Sequence, residues 1–506
     1  MSDNKRIAKN TIFLYIRMFL VMGISLYTSR IVFQVLGEVN YGIFGVVGGI
    51  IAIFSFLNGS LGGATSRYIT IELGKKDYVQ LNKVFNVAVV IHFFLAIIIV
   101  FFAETLGVWL FYNKMVIPES RMDIAFWVYQ ISILMSFFSI TQVPYQAVIV
   151  AHENMKIYAY MGIFDVVMKL LLVFLLQISV IDKLLFWAIL LCCVQFLTLL
   201  IYHIYCVKHY DETRLVICRD RFLYKGMFAY AASDLIGNIS VLAQGQGLNI
   251  LLNMFFGPVV NAARNIAYQV QGAVTQFGGN FMAAVRPQII KLYAVGNIKE
   301  MLNLVYLSSC FSFYLIWIIA LPVCLESEYI LSLWLGQYPN HTISFLNLVI
   351  VLCLIQTLKT PRTTVYHATG HLKFVNMVVG GVLCAAFPLA YLFLKLGGVP
   401  EMVFVAANIS MIISEFVSVF ILKKYIDYSI GNYLLNVHCR CFVVLIISFI
   451  IPYFLFDRFM QPSFMRLIIT CIITTLSVII TSFCIGVNAE DRIKILNLLK
   501  SKILKK

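Results

Sequence analysis

The sequence predicts an all-α polytopic membrane protein of about fourteen transmembrane helices, built as two parallel six-helix lobes followed by two C-terminal helices. Three observations lead there. Of 506 residues, 61% are apolar or aromatic and only 12% are Asp, Glu, Lys or Arg, against roughly 25% charged in a soluble domain. Apolar runs of spanning length recur along the whole chain, and fourteen helices of ~22 residues would use nearly all of that apolar content. A loop sequence that opens at Arg67 returns at Arg286, which marks an internal repeat. Composition thus excludes a soluble enzyme, a DNA-binding protein and a disordered chain. The mean hydropathy of +0.91 also excludes an outer-membrane barrel, whose alternating strands average far lower.

The N-terminus, MSDNKRIAKN, precedes an apolar stretch that runs to about Leu36 without a small-residue cleavage site, so it reads as an uncleaved first span, 11–36. The second, 41–65, is glycine-rich, and Gly42, Gly45, Gly49, Gly59, Gly62 and Gly63 offer small surfaces for close helix approach. Apolar runs at 84–108, 124–148, 157–179 and 184–207 complete a first lobe, 1–207. A linker, 208–225, leads to spans 226–253, 259–284, 302–325, 343–358, 374–396 and 401–422, the second lobe, 226–422. The remainder, 423–506, holds spans 437–456 and 464–486 and a basic tail. In that tail Ile493, Leu496, Leu499 and Ile503 share one helical face, which suits the surface of an anionic leaflet.

With the N-terminus in the cytoplasm, the inside segments carry 28 Lys and Arg. The outside segments carry six, Lys114, Arg121, Lys183, Lys395, Arg458 and Arg466. The positive-inside rule therefore places both termini in the cytoplasm. No loop is much longer than about twenty residues, so any chemistry belongs between the helices.

The repeat sets the arrangement of the lobes. RYITIELGKKDYVQLNKVF, Arg67 to Phe85, aligns with RPQIIKLYAVGNIKEMLNLVY, Arg286 to Tyr306, at an offset of 219 with a two-residue insertion. Upstream, Gly37-Glu38-Val39-Asn40 opens span two much as Gly257-Pro258-Val259-Val260-Asn261 opens span eight. Six helices per copy keep both copies in one orientation, giving parallel lobes with a site between them that rocking exposes to either side. Twelve cysteines are scattered through apolar segments with no C-x-x-C spacing, and read as small buried hydrophobes.

Charges inside hydrocarbon cost ~2.5–3.5 kcal/mol each on insertion scales, so each needs a partner or a wet cavity. Seven fall within the expected spans: Arg17 and Arg30 in the first, Asp165 and Lys169 in the fifth, Asp234 in the seventh, Arg264 in the eighth and Glu415 in the twelfth. Asp165 and Lys169 stand four apart on one helix and read as a structural ion pair. In span eight, Asn261, Arg264, Asn265, Tyr268, Gly272, Thr275, Gln276 and Gly279 follow spacings of three and four, a polar stripe on one helix face. Span seven repeats the theme with Asp234, Asn238, Gly245, Asn249 and Asn253. Facing stripes would line a hydrated cleft with three arginines against one aspartate, which suits an anion, because the guanidinium fork meets phosphate oxygens with paired hydrogen bonds. The substrate-contacting set expected is Arg17, Arg30, Arg264, Asn261, Asn265, Tyr268, Asn238 and Asn249, with Asp234 and Glu415 as ion-coupling groups. Two other arrangements stay open at this level: Asp234 paired internally with Arg17 or Arg264, and Arg30 extended to the interface.

Four strings, TSRIVFQVLGEVNYGIFGVVGGI from Thr28, SRYITIELGKKD from Ser66, AHENMKIYAY from Ala151 and FGPVVNAARNIAYQVQGAV from Phe256, resemble the Wzx-type polysaccharide flippases of the multidrug/oligosaccharidyl-lipid/polysaccharide exporter superfamily. The resemblance implies a transporter of the bacterial inner membrane that carries undecaprenyl-pyrophosphate-linked oligosaccharide from the cytoplasmic to the periplasmic leaflet, for O-antigen, capsule or related glycans. It also implies a cationic cavity with arginines on the first and eighth helices, places that Arg17, Arg30 and Arg264 match by helix. The partners expected are the lipid-linked substrate and membrane lipids, with polysaccharide polymerase or ligase machinery as a further one, and no nucleic acid. The alternative within the superfamily is a sodium- or proton-coupled drug or metabolite antiporter, whose cationic substrates call for intramembrane carboxylates. An enzyme is not expected, and no cofactor or metal: His92 and Glu104 are isolated, and no acid/base or metal-ligand constellation accompanies them.

Overall fold

The computed structural model describes residues 3–54, 57–152, 154–216, 218, 220–228, 240, 242–459, 461–488 and 492, with residues 3–17, 53–54, 57–61, 63–64, 155, 243, 283–284, 372–373, 451 and 455–459 by backbone alone. Among the described residues the secondary structure is entirely helical, and eleven helices are long and apolar enough to cross a membrane. This is a multi-pass membrane protein. Three of the fourteen expected spans are not among the eleven. The second continues the first helix, the seventh is interrupted by residues 229–239 and 241, which lie outside the described residues, and the eighth is long enough but carries the polar stripe.

The chain divides into two compact units. The first comprises residues 1–265 and 387–403. It contains α1 (Asp3–Phe54), α2 (Leu57–Lys75), α3 (Tyr78–Phe102), α4 (Val108–Lys114), α5 (Met122–Ala151), α6 (Met155–Ile178), α7 (Lys183–His209) and α8 (Leu248–Phe256), with the beginning of α9 (Pro258–Ala294). Its core is made where α1 meets α5 and α7: Ile43, Val46, Val47 and Ile50 pack in one cluster with Val128, Tyr129, Trp187 and Ala188. Tyr129, fully buried, donates its hydroxyl to Ala103 O at 2.6 Å, where the α3 backbone widens by one residue per turn over Ala103–Gly107. The opposite faces expose Phe93, Phe94, Phe101 and Trp127, as lipid-facing surfaces require.

Two glycines make the corners of this unit. Gly37 interrupts α1 with φ 75° and ψ 168°, a combination open to glycine alone, so the long helix is two rods. Gly257 turns α8 into α9 with φ 80° and ψ −176°. The same pairing recurs in the loops. After α2, Lys76 is left-handed and Asp77 caps α3 by accepting from Gln80 N; after α9, Gly296 is left-handed and Asn297 caps the next helix by accepting from Glu300 N. In each pair the second residue lies 220 positions on. Equivalent backbone turns at a constant spacing are the structural counterpart of the sequence repeat.

The second unit, residues 266–386 and 404–506, holds the rest of α9, then α10 (Ile298–Leu325), α11 (Ser327–Leu335), α12 (Thr342–Thr369), α13 (Leu372–Cys384), α15 (Met402–Lys423), α16 (Ile430–Tyr433), α17 (Arg440–Phe459) and α18 (Phe464–Thr481); α14 (Ala386–Lys395) falls mostly in the first unit. The tenth span is longer than its sequence suggests. Expected over 343–358, it runs as α12 to Thr369 and ends on left-handed Gly370. Lys359, Pro361 and Arg362 read as a stop, yet the helix passes through them because Arg362 finds a buried counter-ion, described below.

The segment after α7 is tied to the side of α3. Asn82 Nδ2 donates to Glu212 O at 2.8 Å and Arg214 O at 2.9 Å, and Asn86 Oδ1 accepts from Val216 N at 2.8 Å. Glu212 Oε1 meets His152 Nε2 at 2.5 Å, and the His152 ring stacks on Tyr210 with centroids 4.2 Å apart. Burial pushes the Glu212 carboxyl up, but the His152 hydrogen bond, its own backbone N–H and the His152 charge outweigh burial and hold it below the usual glutamate range. A depressed folded-state value adds stability above the unfolded value and loses it as pH falls through the folded one. Protection of the amides of residues 210–216 against hydrogen exchange, taken relative to the intrinsic rate at each pH, is therefore expected to be high at neutral pH and to fall below the ordinary glutamate value of 4.5. Glu212→Gln should flatten that dependence, and an unchanged pH profile in the variant would remove Glu212 as its source.

Candidate functional site

The corner between α8 and α9 gathers several of the expected polar residues, and the structure turns them toward one another. Asn261, fully buried, donates from Nδ2 to Asn249 O and to Asn249 Oδ1, both at 2.8 Å. Asn249 Nδ2 in turn reaches Gly45 O at 3.3 Å and Gln246 Oε1 at 3.4 Å. Asn253 closes the corner by accepting from Val116 N at 2.8 Å. These amides fasten α1 to the α8–α9 corner, and the glycines of α1 admit them: a methyl group on Gly42 would stand 1.8 Å from Pro258 O, and one on Gly45 1.8 Å from Asn265 Nδ2. Arg264 is buried and donates from Nη2 to Gly245 O at 2.6 Å.

Elsewhere in the first unit, Lys169 Nζ lies 2.8 Å from Asp165 Oδ2 on α6. Lys169 and Asn265 line a cavity of about 360 Å³ together with Ser25, Thr28, Ser29 and Trp187. Arg30 is half-buried and makes no ion pair among the described residues. Asp234, Asn238 and the side chain of Arg17 lie outside the described residues.

The lower half of the α9 stripe does something different. Tyr268, Gln271, Thr275 and Arg286 line a groove of about 420 Å³ in the second unit, closed on its other side by Gln356 and Thr360 of α12. From Tyr268 to Arg286 is roughly 27 Å of helix at 1.5 Å per residue. Thr275 and Thr360 spend their hydroxyl protons on backbone carbonyls one turn back, on Gln271 O at 2.9 Å and Gln356 O at 3.0 Å. Their oxygens are left as acceptors. No carboxylate among the described residues lines the groove, and Arg286 supplies its cation. Gln276, which the helical spacing also placed on the stripe, is exposed and does not line it.

Glu415 is not a solitary carboxylate. It is ion-paired with Arg362 Nη2 and lies 3.0 Å from His438 Nε2. Arg362 is 0% exposed and donates from Nη1 to Tyr433 Oη at 2.5 Å, with its guanidinium 5.0 Å from the centre of that ring. Nearby, Lys359 Nζ donates to Ser414 Oγ at 2.9 Å. A second buried pair joins Arg466 Nε to Glu326 Oε1 at 2.7 Å, with Thr470 Oγ1 on the same oxygen at 2.9 Å. The sequence reading missed Arg362, Glu326 and Arg466 as members of buried ion pairs because each sits at or beyond the edge of an apolar run. Among the described residues no group of three His, Cys, Asp or Glu is placed to hold a metal ion.

Several solved structures resemble the chain over most of its length. The lipid II flippase MurJ in an inward closed conformation matches with a TM-score of 0.70 over 93% of this chain and 98% of its own, at 16% identity. An inward-facing multidrug resistance transporter of the MATE family matches at 0.65 over 82% and 97%, at 14% identity. The chain has the fold of the MOP superfamily transporters. A further member, from Pyrococcus furiosus, is described by the reverse polarity of its binding pocket, which suggests a different function for it; it matches at 0.59 over 84% and 96%, at 14% identity. No family model and no curated protein matches the sequence. The neighbours are described as transporters, and the groove beside α9 runs along a helix of the fold they share with this chain.

Proposed function

We propose that the chain is a flippase for polyprenyl-pyrophosphate-linked oligosaccharide, moving it from the cytoplasmic to the periplasmic leaflet of a bacterial inner membrane by alternating access, with both termini in the cytoplasm. The observation that carries this reading is the groove beside α9, with its amides, hydroxyl oxygens and one guanidinium and no carboxylate among the described residues. A pyrophosphate-sugar head cannot cross hydrocarbon without leaving many polar groups unsatisfied, and this groove offers them partners along part of α9. Arg286 meets the phosphates; Gln271, Gln356 and Tyr268 meet sugar hydroxyls. Arg30 supplies a further cation in the first unit. A cationic drug would find no counter-charge in the groove. The length of the likeness points the same way, since the lipid II flippase spans 93% of the chain and the multidrug transporter 82%, a difference the size of the two C-terminal helices. The paired turns at Gly37 and Gly257 support lobes of 1–207 and 226–422 joined by 208–225. Outward movement of an anion gains ~2.3 kcal/mol per charge per 100 mV from an inside-negative potential.

The test is reconstitution of the full chain in liposomes with a fluorescent undecaprenyl-pyrophosphate oligosaccharide and, separately, a cationic dye. The lipid-linked sugar should cross and the dye should not. Arg286→Gln should slow flipping about tenfold, the worth of one charge-assisted contact, and Arg286→Lys should retain part of the rate. Dye export with an idle lipid would make the chain an antiporter.

A further inference from the structure

We propose that the second unit carries another ligand site, apart from the groove, which takes a phosphate-bearing headgroup with free hydroxyls at one membrane face. The site is a cavity of about 310 Å³, within the ~300–1,000 Å³ range of small-molecule sites. Three separate segments build it: the first turns of α10 contribute Lys299, Asn303 and Tyr306, the stretch into α16 contributes Tyr428 and Asn432, and the residues after α18 contribute Asn488. Helix ends meet here, so the cavity opens at headgroup depth rather than in the hydrocarbon.

Its polar groups are unspent. Among the described residues the exposed side chains of Lys299, Asn303, Asn432 and Asn488 make no hydrogen bond to protein groups, whereas Asn436, which also lines the cavity, donates from Nδ2 to Asn432 O at 2.8 Å. Four carboxamides from three distant parts of the chain, Asn303, Asn432, Asn436 and Asn488, line it with one ammonium, and no carboxylate among the described residues joins them. A carboxamide both donates and accepts, which matches hydroxyls and phosphate oxygens alike. The single lysine neutralises one phosphate charge. A zwitterionic choline headgroup, bulky and without hydroxyls, offers these amides little.

The floor of the cavity links it to the buried ion cluster. The Tyr306 and Tyr428 rings pack on Tyr433 at 5.1 and 6.0 Å, and Tyr433 Oη holds Arg362 of α12. The same helix presents Gln356 and Thr360 to the groove. A headgroup seated on these tyrosines therefore braces the helix that lines the transport path.

The experiment is native mass spectrometry of the full chain in detergent with phosphatidylglycerol or phosphatidylcholine added, and glycerol 3-phosphate as a soluble competitor. Phosphatidylglycerol should stay bound and phosphatidylcholine should not. The double variant Lys299→Gln/Asn432→Leu should retain about tenfold less phosphatidylglycerol, and Lys299→Arg should keep most of it. Neither side chain makes an internal bond, so both variants should melt with the wild type. Displacement of the lipid by millimolar glycerol 3-phosphate would support the site with a soluble headgroup as its source; failure to displace it would support the site with the membrane as its source. Equal retention of the two lipids, or of phosphatidylglycerol by wild type and a folded double variant, would overturn the proposal.

Discussion

Glu415→Ala is expected to destabilise the second unit by about 3–5 kcal/mol, because it leaves a fully buried guanidinium without its counter-charge. Arg362 has 0% exposure, and its other charge-relevant contacts are the Tyr433 hydroxyl and ring. Neither carries a full negative charge at neutral pH. The Coulomb attraction that offset desolvation of both ions would be lost, and the desolvation of Arg362 would remain. Thermal unfolding of the full chain in detergent is the measurement. Glu415→Gln, which keeps an acceptor but not the charge, should fall between wild type and Glu415→Ala. The paired replacement Arg362→Met/Glu415→Ala should recover much of the loss, since removing both ions also removes the cost of burying them. A Glu415→Ala protein that melts like the wild type would show that Arg362 does not depend on this carboxylate.

Gly42→Val is the second large expectation. The first added carbon would lie 1.8 Å from Pro258 O and 2.6 Å from Pro258 C. These are backbone atoms at the α8–α9 corner, and they cannot swing aside as a side-chain tip does. The corner must move, and with it the hydrogen bonds from Asn249 to Gly45 O and from Asn261 to Asn249. Overpacking of this kind costs ~1–3 kcal/mol in a soluble core and more where backbone must shift. The internal control is Gly48→Ala on the same helix, where an added methyl group meets nothing within 4 Å and should be neutral or stabilising by ~0.5–1 kcal/mol. Equal melting of the two variants would contradict the close approach at Gly42.

The polar stripe on span eight shows how far helical spacing carries. A period of three and four placed Asn261, Arg264, Asn265, Tyr268 and Thr275 on one face. The structure divides that face. Asn261 bonds Asn249 within the first unit, and Tyr268 and Thr275 line a groove within the second. Periodicity records which way side chains point from one helix; it holds no record of what stands opposite at each turn. Glu415 makes the same point in reverse. Its partners Arg362 and His438 lie 53 residues before it and 23 after it, and Arg362 sits in a stretch whose local polarity reads as a loop.

The sequence by itself determined the solvent of this protein, the course of most of its helices and the presence of a repeat, because hydropathy, helical period and glycine placement are sums over neighbouring residues. Only the tertiary structure decided which polar groups are consumed in holding helices together and which are not. That choice depends on distances between residues far apart in the chain. A buried charge is silent or active according to whether another arrives within a few ångströms of it.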